Sequence, residues 1–230
     1  MSKPLFASAA LLALALPAHA VTLAQWNFND NNLVVDLGTG TAALVGGTTT
    51  SGFNSGAGSS DPVQPGTGWS ISTFAAQGTA DATRGASFTV STAGYENIGF
   101  SYDMRHSNTA PGSELVQVSV DGLNFLSLGT FTTVNPSGST PFFARSVDLS
   151  GIPGADDADT LTFRVVATFG PGGSYESSAI GSNYGTSGTW RFDMVTISGD
   201  VISAVPEPSS YAMLLAGLAA VGFMARRRRG

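Results

Sequence analysis

The stretch Ile98-Gly99-Phe100-Ser101-Tyr102-Asp103-Met104 decides the fold class. Successive side chains of a strand point to opposite faces, so Ile98, Phe100, Tyr102 and Met104 share one apolar face. Ser101, Asp103 and, one step further on, Arg105 take the other face, as in a strand buried on one side only. The same alternation returns in Leu161, Phe163, Val165, Ala167 and Phe169. It appears again in Val116, Val118 and Val120, which are followed by the tight-turn pair Asp121-Gly122. Working outward, strands are expected near 23–28, 33–37, 69–74, 85–91, 97–104, 114–120, 124–133, 142–149, 159–169 and 189–198. Gly, Pro, Asn and Asp clusters separate them, and no part of this region sustains a helical period. So many strands, each with one apolar face, can bury those faces only by packing two sheets together. The predicted class is all-β: a two-sheet β-sandwich, jelly-roll-like in topology. Residues 46–68 and 170–188 lack apolar periodicity and are expected to be long surface loops, where binding residues tend to gather.

Both ends of the 230-residue chain differ from this middle. Met1 to Ala20 combines Lys3, an apolar run from Leu5 to Leu16 and the small-x-small site Ala18-His19-Ala20, the pattern of a secretory signal peptide. At the other end stand Pro206-Glu207-Pro208-Ser209-Ser210, an apolar run from Tyr211 to Ala225, and Arg226-Arg227-Arg228-Arg229. The prolines keep the preceding chain out of the helix that follows, and Ser209 or Ser210 can cap it. A helix over 211–225 would cover roughly 22 Å, less than the bilayer core of about 30 Å, unless the arginines snorkel to the headgroups. The arginines also favour a cytoplasmic location for that end. The expected organisation is a signal peptide (1–20), a sandwich ectodomain (21–200), a linker (201–204) and a tail (205–230) with a single transmembrane helix.

The tail closely resembles the PEP-CTERM sorting signal, on Pro206, Glu207, Pro208, the helix 211–225 and Arg226, Arg227, Arg228 and Arg229. That resemblance implies an exosortase substrate of an exopolysaccharide-producing Gram-negative bacterium. Such a protein is exported through the Sec machinery, held transiently in the inner membrane, then cut near Pro-Glu-Pro and released to the envelope or the extracellular space. Within the middle, Phe100 to Arg105, Val116 to Phe125 and Gly188 to Gly199 resemble strands of extracellular jelly-roll modules of bacterial surface proteins. Similar modules accompany secreted hydrolases and resemble carbohydrate-binding jelly rolls.

Composition narrows the chemistry. Without cysteine, neither disulfides nor thiolate metal sites arise. Between the two signals lie five arginines, no lysine and fifteen acids, a formal charge of −10. That argues against nucleic acid as a partner, because phosphate neutralisation needs Lys and Arg. It suits solubility, a divalent cation or a neutral polymer. The single histidine of this region, His106, has Asp103, Arg105 and Ser107 as neighbours, but no nucleophile elbow accompanies it. It reads as a polar turn residue, and no catalytic residue is assigned. Calcium is the favoured inorganic ligand, since it takes six to eight hard oxygens. The run Asn29-Asp30-Asn31-Asn32 offers such groups, and Asp193 lies where similar jelly rolls often place a calcium ligand, so Asp30 and Asp193 are the candidate metal residues. For sugar stacking, Trp26 and Trp190 read as core, whereas Trp69, Tyr175 and Tyr184 are open. No ligand-binding residue is fixed. The expected function is a non-enzymatic structural or adhesive module in contact with exopolysaccharide. The alternative is a secreted carbohydrate-active or other hydrolytic enzyme.

Overall fold

The computed structural model describes residues 20–202 and 208–228. The expected signal peptide up to His19, and Pro206, Glu207 and Arg229 of the tail, lie outside the described residues. The strands are β1 (Val21–Trp26), β2 (Leu37–Gly38), β3 (Thr41–Val45), β4 (Thr49–Ser55), β5 (Thr67–Ser72), β6 (Gly85–Val90), β7 (Tyr95–His106), β8 (Ser113–Ser119), β9 (Leu126–Thr132), β10 (Phe142–Asp148), β11 (Leu161–Ala167) and β12 (Trp190–Val201). One helix, α1 (Pro208–Arg227), follows.

The strands form a two-sheet sandwich, as the alternation predicts. The seven-stranded sheet runs β10-β7-β12-β1-β2, with β5 also on β12 and β4 on β5; the five-stranded sheet runs β3-β6-β11-β8-β9. Ile98, Phe100, Tyr102 and Met104 of β7 are buried, and so are Leu161, Phe163, Val165 and Ala167 of β11. Between the sheets, the Phe100 and Phe163 rings stack at 4.5 Å with planes 17° apart. Trp69 meets Phe88 edge-on at 6.3 Å. Such aromatic pairs add about 0.5–1.5 kcal/mol each beyond the area they bury. All three tryptophans are fully buried, Trp69 included, so none is free to stack on a ligand.

Several expectations need correction. Residues 33–36 form bends, not a strand, and only Leu37 and Gly38 pair, with Gln25 and Ala24. Local side-chain hydrogen bonds outcompete the ladder here: Asn32 Oδ1 accepts from the Val34 amide at 2.7 Å and Asp36 Oδ2 from the Asn27 amide at 2.7 Å. Residues 46–68 are not one loop. They contain β4 and the start of β5, and β3 just precedes them. β4 pairs with β5 alone and buries neither face fully, so it left no alternating signature. Val120, the last of its alternating series, lies beyond β8 and is exposed.

The tail helix starts at Pro208, so Ser209 and Ser210 lie within it and cannot be its cap. Proline suits the first helical position, where its missing amide proton costs nothing. The described side chains from Leu214 onward are exposed, and Arg226 and Arg227 occupy the last turn, where cations complement the helix dipole. Among the described residues, no helix is long and apolar enough to cross a membrane.

Candidate functional site

β12 changes partner along its length. Its first residues, Trp190 to Phe192, pair with β5, and Val195 to Gly199 pair with β1. First and last strands are thus neighbours. At the changeover Met194 adopts φ +46° and the register against β7 shifts after Asp193. Trp190, Phe192 and Met104 point into the core, so the residues between them face outward. In register across β7 and β12, Arg191 stands opposite Arg105 and Asp193 opposite Asp103. The outer face of the larger sheet therefore carries a row of two guanidinium groups beside a row of two carboxylates.

The segment 56–66 folds over the carboxylate row and buries both Asp103 and Asp193. The Ser60 amide donates to Asp103 Oδ2. Asp61, itself buried, accepts from the Val63 amide at 2.8 Å and from Asn29 Nδ2 at 2.8 Å, while Asn29 Oδ1 accepts from the Thr67 amide at 2.8 Å. Two glycines make room for these oxygens. A Cβ on Gly56 would stand 2.6 Å from Asp193 Oδ2, and one on Gly66 would stand 2.5 Å from Asn29 Oδ1 and 2.6 Å from Asp61 Oδ2. Asp193 Oδ1 accepts from the Met194 amide at 2.8 Å, whereas its Oδ2 is buried with no hydrogen-bond partner. Burial pushes the Asp193 pKa up to about 7, and the carboxylates of Asp61 and Asp103 add to the rise. The hydrogen bond from the Met194 amide only partly opposes it.

An orphaned buried carboxylate oxygen beside two further carboxylates and an amide oxygen fits a hard cation. Among the described residues no group of three or more His, Cys, Asp or Glu side chains is arranged to hold a metal ion. A cation here would therefore complete its shell with the Asn29 amide oxygen, backbone carbonyls and water. Asp30, the expected partner of Asp193, is exposed in the turn beside Asn29, and Asn29 is the residue that reaches the cluster. Asp61 and Asp103 escaped the sequence reading. The available signal was the pair Gly56 and Gly66 flanking an acid, which marks a loop that must approach other atoms closely.

His106 is not a turn residue. It ends β7 fully buried, with Nδ1 2.8 Å from the Pro111 carbonyl and Nε2 3.6 Å from Glu114 Oε1. Glu114, also buried, accepts from Arg145 Nε at 2.7 Å and from the Tyr102 hydroxyl at 3.0 Å. Burial alone would raise the Glu114 pKa, but the contacts of His106 and Arg145 outweigh it and lower it. This cluster ties β7, β8 and β10 together from inside the sandwich. It presents no accessible nucleophile.

Three adjoining cavities run along the loop end. The first, about 670 Å³, is lined by Gln77, Tyr175, Glu176, Asn183 and Tyr184 among others. It shares Ala179, Ile180 and Ser182 with a second of about 340 Å³ that includes Asn108, Asn135 and Ser137. Asn108 in turn borders a third of about 260 Å³ with Arg105 and Arg191. Tyr175 is buried and hydrogen-bonds the Ala80 carbonyl; Tyr184 stacks on it at 5.1 Å and is half-buried. A separate cavity holds two carboxylates, Asp121 and Asp159. Hydrogen bonds from Asn124, Leu123 and Ser119 keep Asp121 well below the usual carboxylate range. It is thus a turn anchor, not a proton donor.

On the smaller sheet, Arg164 Nε donates to Gln117 Oε1 at 2.6 Å and its guanidinium lies 3.7 Å over the Phe125 ring. Gln117 in turn donates to Ser127 at 3.3 Å.

Comparison with known proteins bears on both ends of this description. Residues 204–229 match the model of the PEP-CTERM protein-sorting motif, so the chain carries the sorting signal of an exported protein. No curated protein matches the sequence. Among solved structures, the CBM22-1-GH10 modules of Clostridium thermocellum xylanase 10B, complexed with xylohexaose, align at 14% identity. That alignment covers 80% of this chain and 30% of that one, with a TM-score of 0.46. The CBM22 tandem of Paenibacillus barcinonensis Xyn10C aligns at 13% identity over 85% of this chain and 49% of that one, TM-score 0.45. The mannan-recognising module TmCBM27 aligns at 11% identity over 80% of this chain and 100% of that one, TM-score 0.42. This chain thus spans less than half the length of the two xylanase structures.

Proposed function

We propose that the protein is an exported, non-enzymatic envelope or matrix module, processed by an exosortase and binding exopolysaccharide through its sandwich. The observation that carries the binding reading is the row of three cavities at the loop end, each sharing lining residues with the next. Its lining supplies one half-exposed aromatic ring, Tyr184, with amides and hydroxyls from Gln77, Asn183, Asn108 and Ser137. A flat ring for a sugar face and convergent amides for its hydroxyls are what a glycan requires, and a track suits a polymer better than a monomer. Modules of similar fold described as carbohydrate-binding agree with this reading. In the same account the cluster of Asp193, Asp103, Asp61 and Asn29 holds a structural calcium ion, which would fasten segment 56–66 to the sheet.

The positions of the candidate groups support a non-catalytic role. His106 and Glu114 are sealed in the core, and Asp121 is saturated with donors. Screening the full chain in detergent against a glycan array tests the binding reading. Bound glycans should be lost with Tyr184→Ala and Asn108→Ala, while the fold is retained; glycan binding that ignores both substitutions would place the site elsewhere. The sorting reading is tested in the native host by mass spectrometry of the exported protein. The mature chain should end near Pro206-Glu207-Pro208, and Glu207→Ala should leave uncut protein in the inner membrane. An exported protein still ending at Gly230 would contradict processing.

A further inference from the structure

The two arginines opposite each other on the larger sheet need an explanation that burial and pairing do not supply. Like charges directly across an antiparallel pair repel, and a sheet that only had to be stable would set Arg191 against a carboxylate. Asp103 and Asp193 are two residues away on the same strands and the same face, yet they face each other instead. Among the described residues, the ion pairs present are those of Glu114 with Arg145 and His106; neither Arg105 nor Arg191 takes part in one. This happens on an ectodomain with fifteen acids to choose from.

Both guanidinium groups are instead held by neutral oxygens. Arg105 Nε and Nη2 donate to Thr140 Oγ1 at 3.0 and 2.7 Å. Arg191 Nε donates to Ser70 Oγ at 2.9 Å and Nη1 to the Ser55 carbonyl at 2.9 Å. Ser70 is itself fixed by Asn54 Nδ2 at 3.0 Å. These contacts orient the two side chains without neutralising them. Burial, together with the neighbouring charge of Arg105, lowers the Arg191 pKa, and the carboxylate of Asp193 only partly offsets this. Both line the third cavity of the loop-end track, about 260 Å³, whose other walls are the polar residues Ser107, Asn108, Thr140 and Thr189.

We infer that Arg105 and Arg191 form an anion-binding site that takes a carboxylate or sulfate group, and that this group is carried by an acidic polysaccharide lying in the track. Planar guanidinium groups bind such anions through two parallel N–H bonds, and a negative charge between them converts repulsion into attraction. The site rests on the polysaccharide reading and sharpens it. The polymer is acidic, and a uronate or sulfated sugar occupies the end of the track bordered by Asn108. Nearby Asp103 and Asp193 are closed off by segment 56–66, so their charges do not line the cavity.

The source of the anion is separated by two probes, inorganic sulfate and an oligouronate, titrated into the full chain in non-ionic detergent. Melting of the wild type should shift upward with sulfate relative to chloride at equal ionic strength. Arg105→Gln and Arg191→Gln should each abolish that shift, while circular dichroism shows that each variant remains folded. The oligouronate should bind more tightly than a neutral oligosaccharide of equal length, by about tenfold or more. Raised salt should weaken it, and either substitution should erase the preference. Sulfate protection without any uronate preference would assign the site to a free anion and overturn the polysaccharide part. If sulfate gives no shift and the substitutions leave oligouronate affinity unchanged, the site does not exist. Neutral-glycan binding that persists in the Gln variants would then leave the proposed function standing on its own.

Discussion

The outer faces of the two sheets treat arginine in opposite ways. On the smaller sheet, Arg164 has a neutral residue opposite it: its Nε donates to Gln117, its cross-strand partner, and its guanidinium lies over Phe125. On the larger sheet, Arg105 faces Arg191 and Asp103 faces Asp193, each like charge opposite its own kind. The first is what a stable surface does with a cation. The second is electrostatically costly, because like charges directly opposite each other in an antiparallel pair repel. In the account proposed above, bound ions supply counter-charges to this arrangement, and the difference then separates a structural face from a binding face.

The comparison can be broken most forcefully from inside the sandwich. Glu114 is a buried charge with its partners in place, so Glu114→Ala should strand Arg145 and cost about 3–5 kcal/mol in urea unfolding. Asp193 is a buried charge without them, so Asp193→Asn should be neutral or stabilising in chelator. If Asp193→Asn were as damaging as Glu114→Ala, the outer row would be an ordinary structural network.

A smaller effect is expected from pH. The folded-state pKa of Asp193 lies near 7, above the unfolded value of about 3.9, so the folded protein holds the extra proton between them. Its stability contribution is complete below the unfolded value and is lost as pH rises through the folded one. In chelator, unfolding free energy should therefore decline from about pH 4 to about pH 7, by a few kcal/mol at most, since solvent screening reduces it. Asp193→Asn should flatten that decline. A slope that survives the substitution would belong to another group.

The smallest effect is expected on the smaller sheet. Arg164→Gln should cost about 1–2 kcal/mol through the lost hydrogen bond and ring contact. The cost should be the same in sulfate and in chloride. Sulfate-dependent stability that vanished with Arg164 would reverse the assignment of the two faces.

The fold was legible wherever burial was one-sided. Phe100 and Phe163, which stack between the sheets, both belong to alternating segments visible in the sequence. Strand β4 was not legible, because an edge strand of Thr, Ser and Gly with no deeply buried face leaves no period to read. Leu33 to Asp36 misled for the opposite reason, an apolar run whose backbone is claimed by Asn and Asp side chains. Of the candidate site, Asp193 was named from the sequence. Asp61 and Asp103 were not, because their meeting depends on segment 56–66 folding over a sheet far away in sequence. The arginine pair was hidden likewise: the sequence contains both residues, but only the register of β7 against β12 shows that they face each other.

The central claim is that the like-charged rows are places for ions, and the carboxylate row gives the most direct test. The measurement is the melting temperature of the full chain in calcium and in chelator, above the pH range in which Asp193 titrates. At about 100 times its dissociation constant, a cation bound only by the folded state adds about 2.7 kcal/mol, a rise of about 5–10 °C for a domain of this size. The account predicts that rise in the wild type and its loss in Asp193→Ala. Identical melting of the wild type in calcium and in chelator would contradict it.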